Sequence, residues 1–424
     1  MEDIEKERLA KKNESGTAFA AYGWIVVAVA VGFPSVFYWA DRIGFGVILR
    51  PLFIGLGLPF VLAGGLATIF ALGQFIAAPA SGFVSRKLGL RNTLMLGIGI
   101  FSLFTVLTGI SQNSEQIFAS RTITGVGEAF FFPVALSIVG MMSRRFRGTA
   151  IGVVNLLQGI GVFTGPVIYA LLFTSTSSWR LTLVIAGILG FVVMVAAYIL
   201  LTFPKASKEF LKPRVDLDEE KVPLTRERLS GVFSTRSIFG IIIMALLGLI
   251  QWPWLVLLSS YLQSVGFTVV ESAGVSGIIG IGFILAVLGG QFGDRVNRIW
   301  PILIGSIGEV VASFIIFGTN VSVTEALLVA AIFGVSTSAF AFTNVLASLQ
   351  NSVKHRNIPI ISGIAMSAYY GTGFASGFIV GGLVGSIGWL GAITYVVIIP
   401  AAACVFLSIP LREKPKLKEN FSPS

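Results

Sequence analysis

Apolar residues in this chain come in runs too long for the core of a soluble domain. Twelve mostly apolar segments stand out, at roughly 19–47, 60–83, 92–112, 115–142, 147–172, 177–203, 236–264, 270–292, 299–319, 322–350, 357–384 and 387–411. About twenty such residues carry a helix across the ~30 Å hydrocarbon core of a bilayer. Several runs are longer, which tilt accommodates. Outer-membrane strands would show alternating segments of about ten residues instead. Only 12% of the 424 residues are charged, about half the usual share of a soluble domain. A set of soluble domains could not cover itself, and a disordered chain needs the opposite composition. The expected fold class is therefore all-α integral membrane, with twelve transmembrane helices.

Lysine and arginine assign the sides. With the N-terminus inside, the inside segments hold 26 of the 30 basic residues: four in the N-terminal tail; Arg86, Lys87 and Arg91; Arg144, Arg145 and Arg147; eight from Lys205 to Arg236; Arg295 and Arg298; Lys354 and Arg356; and four after Leu411. Arg50 and Arg180 fall outside, and Arg42 and Arg121 fall within spans. Each loop obeys the positive-inside rule, so both termini are expected in the cytoplasm. The net charge of +10 thus reads as orientation in a cell (cytoplasmic) membrane, not as a nucleic-acid surface. The divisions are a tail over 1–18, a six-helix bundle over 19–203, a charged linker over 204–235, a second bundle over 236–411 and a tail over 412–424. No cleaved leader is expected, because residues 1–16 are charged and lack a short apolar core.

The two halves carry a similar segment after their second helix. The first has Gly82, Arg86, Lys87, Gly89 and Arg91; the second has Gly290, Asp294, Arg295 and Arg298. Such an internal repeat suits transporters that bind substrate near the midplane between halves. Together with the twelve segments and the charged linker, it resembles the major facilitator superfamily. Gly290, Asp294 and Arg295 follow that family's loop signature. In the first half Arg86 stands at the acidic position of the gating loop, whose other matches include Gly82 and Arg91.

A narrower likeness lies on the first and fourth helices. Tyr38, Asp41 and Arg42 resemble the Tyr-x-x-Asp-Arg segment of the anion:cation symporter branch, which includes sugar-acid transporters. Arg121, Gly125, Glu128 and Ala129 resemble its fourth helix. The resemblance implies that Asp41 and Glu128 take up protons. It implies that Arg42 and Arg121 engage the substrate or relay the coupling.

Charge arithmetic points to the same residues. A charged side chain at the centre of a spanning helix costs about 2.5–3.5 kcal/mol on insertion scales. Asp41, Arg42, Arg121, Glu128 and Glu309 sit within spans, so they should face the bundle interior and be paired. The bland reading is that Asp41–Arg121 and Arg42–Glu128 are interhelical ion pairs; for Glu309 that structural reading is the stronger. A guanidinium fork matches a carboxylate with two hydrogen bonds, which a lysine cannot do. Tyr38, Gln158, Asn344 and Tyr370 are favoured as further substrate contacts. The tryptophans are expected mostly at span ends, where rings prefer the interface.

The expected function is secondary transport of an organic anion coupled to protons, by a monomer without cofactor. His355 is the single histidine, and no phosphate-binding glycine loop with lysine is present, so neither a histidine metal site nor ATP-driven pumping is expected. Two alternatives stay open. Gly152, Gly161, Gly165 and Pro166 follow part of a drug:proton antiporter pattern, with Tyr169 and Ala170 where that pattern has two glycines. Anion exchange of the oxalate:formate kind would need the arginines without a titrating acid.

Overall fold

The computed structural model describes residues 2–140, 147–202, 232–354 and 357–412. Most of the 204–235 linker, His355, Arg356 and the end of the C-terminal tail lie outside the described residues, as does the side chain of Arg86. Every regular element among the described residues is helical. We label the helices in order, giving one label to pieces separated by a single bent residue or by a π-segment. The first half has α1 (Glu2–Gly55), α2 (Phe60–Thr68 and Phe70–Leu88), α3 (Leu90–Ile110), α4 (Ser114–Gly140), α5 (Arg147–Thr176) and α6 (Trp179–Thr202). The second has α7 (Thr235–Val256 and Leu258–Ser264), α8 (Val269–Ile278, Gly280–Ile284 and Ala286–Arg295), α9 (Ile299–Gly318) and α10 (Val323–Gly334, a π-segment Val335–Phe342, and Thr343–Asn351). The run Ile358–Ile393 turns at Gly388, which has φ 71°. A side chain there would be strained, so glycine is what lets α11 (358–387) pass into α12 (389–407) without a loop.

Eight described helices are long and apolar enough to cross a membrane, or nine when the bent α8 is one span. This is fewer than the twelve runs of the sequence because 360–407 counts as one helix, and because α1 and α4, which carry Asp41, Arg42, Arg121 and Glu128, are not among them.

Helix starts follow local chemistry. Thr268 and Glu271 form a capping box at α8: the Glu271 amide donates to Thr268 Oγ1 (3.2 Å) and the Thr268 amide to Glu271 Oε2 (2.8 Å). Ser322 and Glu325 repeat the device at α10. Each box satisfies amides that the first turn leaves without partners.

The halves are built alike. In the first, α1 packs on α5, α2 on α4, and α3 on both α4 and α6; in the second, α7 packs on α11, α8 on α10, and α9 on both α10 and α12. The repeat seen in the loops is therefore a repeat of packing. The halves meet through α2 with α11 and α8 with α5, again an equivalent pair. Hydrogen bonds that join them lie at the end opposite the Gly82–Arg91 segment. Arg50 donates to the Gln263 carbonyl (2.6 Å), Gln263 to the Val47 carbonyl (2.9 Å), and Thr68 to the Phe374 carbonyl (2.8 Å). There the backbones of Gly64 and Gly377 touch, and a Cβ on either would come within 2.1 Å of the other's carbonyl oxygen.

Candidate functional site

Four buried charged residues of α1 and α4, Asp41, Arg42, Arg121 and Glu128, come together at the centre. Arg42 donates to Glu128 Oε2 at 2.6 Å, and Arg121 to Asp41 Oδ2 at 3.4 Å, with all four side chains at most 1% exposed. Asp41 and Arg42 are neighbours, whereas Arg121 and Glu128 stand seven residues, two turns, apart. The long arginine stems bridge that difference, so both residues of α1 face α4. The cluster is neutral overall. That balance is what permits burial, since a lone charge in a low-dielectric interior would lose its hydration without return.

The two pairs differ in their surroundings. Asp41 also accepts from the Tyr169 hydroxyl of α5 at 2.5 Å and from Thr105 of α3 at 3.4 Å. It is held from three helices, and the Arg121 guanidinium stacks 4.1 Å from the centre of the Phe45 ring. Arg42 instead lies among aromatic faces. Its Cζ is 4.3 Å from the Tyr38 ring centre, 4.7 Å from Phe70, 4.9 Å from Trp39 and 5.2 Å from Trp252. It also donates to the Tyr38 hydroxyl, which in turn accepts from Gln74 at 3.0 Å. Aromatic faces attract a cation without saturating its N–H groups. Among the described residues, Arg42 Nε and Nη1 accordingly find no hydrogen-bond partner, nor do the indole N–H groups of Trp39 and Trp252 or Gln74 Oε1. Two unused nitrogens of the guanidinium, two indole donors and one acceptor thus lie together.

Both halves contribute. Phe70 stacks edge-on against Trp252 of α7, and Trp39 packs on Phe283 of α8. Tyr370 of α11 packs on Trp252, which brings its hydroxyl near Arg42 and Tyr38.

Of the favoured polar residues, Tyr38 and Tyr370 are therefore at Arg42. Gln158 is buried on α5, with its amide nitrogen unpartnered. Asn344 lies elsewhere: it accepts from Arg298 (3.2 Å) and donates to the carbonyls of Gly289 (3.2 Å) and Phe340 (2.9 Å). At that end of the second half, Arg298 also pairs with Asp294, while Arg295 is exposed. Gly290 comes close to Thr343 of α10. In the first half Gly82 is open to its surroundings, and Arg91 reaches Thr202 (3.4 Å) and the face of Tyr198.

Three features escaped sequence reasoning. Tyr169 was legible only as a departure from the antiporter pattern, yet it holds Asp41. Trp39, Trp252 and Trp254 are buried inside the bundle rather than at an interface; two of them wall the Arg42 site, and Trp254 donates to Ser313 (3.0 Å). The partner of Asp294 is Arg298, one helical turn on, a spacing that i,i+4 pairing could have suggested.

Comparison with known proteins agrees with this architecture. The family model of the Major Facilitator Superfamily matches residues 31–376. The chain is 27% identical over 256 residues to a probable L-galactonate transporter of Escherichia coli (strain K12), covering 58% of this chain and 56% of that protein. It is 26% identical over 167 residues to the quinolone resistance protein NorA of Staphylococcus aureus, covering 39% of this chain and 42% of that one. The matches thus span about half the length of these curated relatives. Among solved structures, a bacterial homologue of the human lysosomal transporter Spinster, in an inward-facing and unoccupied conformation, superposes with TM-score 0.68 at 17% identity over 93% of this chain and 92% of that one. A POT family transporter in complex with a thioalcohol-conjugated peptide gives 0.72 at 13% identity over 91% and 94%. With a family match over most of its length, a helix packing repeated in its two halves and a central buried charge cluster, the chain belongs to the Major Facilitator Superfamily.

Proposed function

We propose that this protein is a secondary active transporter that moves an organic anion, a carboxylate or sugar acid, together with protons by alternating access. The carrying observation is the Arg42 site. One guanidinium is engaged by one carboxylate, Glu128, while two of its nitrogens and two indole N–H groups beside it are unused. Such a site has capacity for a second anion, and guanidinium favours a carboxylate held by two parallel bonds. A substrate carboxylate at Arg42 and an ionised Glu128 would place two negative charges on one cation. Protonation of Glu128 removes that conflict. By linkage, the anion then raises the affinity for the proton and the proton raises the affinity for the anion. Asp41, held by Tyr169, Thr105 and Arg121, is the second acid of the cycle, and Arg121 tunes it. Gln74, Tyr38, Gln158 and Tyr370 supply polar contacts to hydroxyl groups. Asn344, on Arg298 and the α8 backbone, acts in the same cycle by joining α10 to the loop after α8.

The same reading places twelve spans in a cytoplasmic membrane, with both termini and the Gly82–Arg91 and Gly290–Arg298 gating loops in the cytoplasm. The two six-helix bundles rock about the central site, and the protein acts as a monomer. The end sealed by Gly64 and Gly377 is then the external one. The likeness to a galactonate transporter supports a sugar acid. The likeness to NorA and the aromatic walls around Arg42 favour a competing reading, proton-coupled drug efflux. Titration calorimetry in buffers of different ionisation heat separates the two. A carboxylate that binds with uptake of a proton, lost in Glu128→Gln, supports symport. Binding of cationic or neutral compounds alone, with proton release, supports efflux.

A further inference from the structure

The second half of the bundle contains one ionisable carboxyl that the central site does not use. Within α7 to α12, charged residues sit at helix ends, namely Arg236, Glu271, Asp294, Arg295, Arg298 and Glu325; Glu309 is the exception, placed in the middle of α9. It is completely buried, and neither carboxyl oxygen accepts a hydrogen bond of normal geometry. Among the described residues no cation pairs with it. This contrasts with the first half, where two acids face two arginines. An ionised carboxylate without a counter-ion is not tolerated in such surroundings, so the group there is the neutral acid. A glutamine would fill the same space without a titrating proton.

The neighbours of Glu309 lead back to the centre. Thr337 of α10 and the thiol of Cys404 of α12, both buried, lie near it. Helices α7, α8 and α11 also touch α9. α11 contains no charged residue, α7 has only Arg236, in its first turn, and the charged residues of α8 lie at its two ends. Thr337 sits in the π-segment Val335–Phe342, against which α9 packs closely through Gly305 and Gly308. Single π-turns inside α-helices recur at functional sites, where they aim side chains a regular helix would not. From Thr337 a directional chain of hydrogen bonds crosses the half. Gln251 Nε2 donates to Thr337 Oγ1 at 2.7 Å, and the Tyr369 hydroxyl donates to Gln251 Oε1 at 2.6 Å. The Tyr369 ring packs on Trp252 and on Tyr370, two walls of the Arg42 site.

We propose that Glu309 is a second proton-binding site, and that the Thr337–Gln251–Tyr369 chain links its protonation to the occupancy of the Arg42 site. This rests on the proton-coupled reading above and adds to it a titrating carboxyl in the interior of the half whose other carboxyls sit at helix ends. In the described arrangement the carboxyl holds its proton. When α10 shifts and water reaches α9, the O–H bond breaks and the proton leaves to that water. The hydroxyl of Thr337 then turns its hydrogen to the carboxylate. Its oxygen still accepts from Gln251, so the chain stays intact but is more strongly polarised toward Glu309.

Two measurements on the full-length protein test this. Infrared spectra of the purified wild type should contain the carbonyl stretch of a buried protonated carboxyl that is missing from Glu309→Gln; identical spectra would overturn the proposal. In proteoliposomes, the proton-to-substrate ratio read from the reversal potential should fall by one in Glu309→Gln, with substrate exchange retained. An unchanged ratio would make Glu309 a structural acid only. Thr337→Val serves if Glu309→Gln folds poorly: it should keep the carbonyl band and alter the pH profile of substrate binding, and an unaltered profile rejects the link. If the wild type itself shows no proton-driven flux, the symport reading fails in its own control, before any variant is compared.

Discussion

Neutralising Glu128 gives the sharpest consequence of the geometry. In Glu128→Gln the side chain keeps its shape, but Arg42 loses its counter-charge at 2.6 Å. Removing one member of a buried pair costs about 3–5 kcal/mol. The four rings around the guanidinium and a retained amide carbonyl offset part of that, so the substrate-free variant should melt at a lower temperature and still fold. Binding moves the other way. A hydrogen bond to a charged group is worth about 1.5–3 kcal/mol net. Wild-type substrate must share Arg42 with an ionised carboxylate, whereas the variant presents only a neutral amide there. At about 1.4 kcal/mol per tenfold, a bound carboxylate should gain roughly tenfold to a hundredfold in affinity. The part of its pH dependence that Glu128 supplies should disappear. The assay is the rise in melting temperature with a carboxylate panel across pH, since ligand binding to the folded state raises it. Counterflow exchange should persist while gradient-driven accumulation is lost. A variant that binds more weakly and still accumulates substrate with wild-type pH dependence would refute the competition between Glu128 and substrate for Arg42.

Other consequences follow from the same contacts. Arg42→Lys should lose transport although it keeps the charge, because a point charge cannot present the planar fork; wild-type uptake by this variant would remove the bidentate contact. Tyr169→Phe deletes one bond to the Asp41 carboxylate and should weaken coupling by about 1.5–3 kcal/mol, seen as a lowered accumulation ratio at unchanged expression. Gly64→Ala or Gly377→Ala forces a Cβ to within 2.1 Å of the opposite carbonyl, so the sealed end should open; a cysteine placed at residue 67, buried one turn on in α2, should then react faster with a membrane-impermeant thiol reagent. At the capping boxes, the amides of Thr268 and Ser322 donate to the carboxyls of Glu271 and Glu325. Glu271→Ala and Glu325→Ala leave those amides without their caps, so hydrogen exchange at Thr268 and Ser322 should quicken; unchanged exchange would reject the boxes as caps.

The helical class and the central charges were legible because a bilayer interior makes each long apolar run and each charge within one conspicuous. Asp41, Arg42, Arg121 and Glu128 stand out on charge alone, and both ion pairs among them could be named. Their environment was not legible. Trp39, Trp252 and Tyr169 are apolar or weakly polar residues like many others in the chain, and only the crossing of α1, α5 and α7 turns them towards the arginine and the aspartate. Asn344 and Tyr370 looked equivalent in sequence; the packing of α10 on α8 takes one to Arg298, and that of α11 takes the other to Arg42. Glu309 was visible as a charge, but its lack of a partner depends on what α10 and α12 present to it.

Uptake into proteoliposomes under an imposed inward proton gradient tests the central claim most directly. A labelled sugar acid such as galactonate should accumulate above its equilibrium level in wild-type vesicles. A protonophore should abolish that accumulation, and Arg42→Ala should show none. If the gradient drives no carboxylate while neutral or cationic compounds move, anion symport through Arg42 is contradicted.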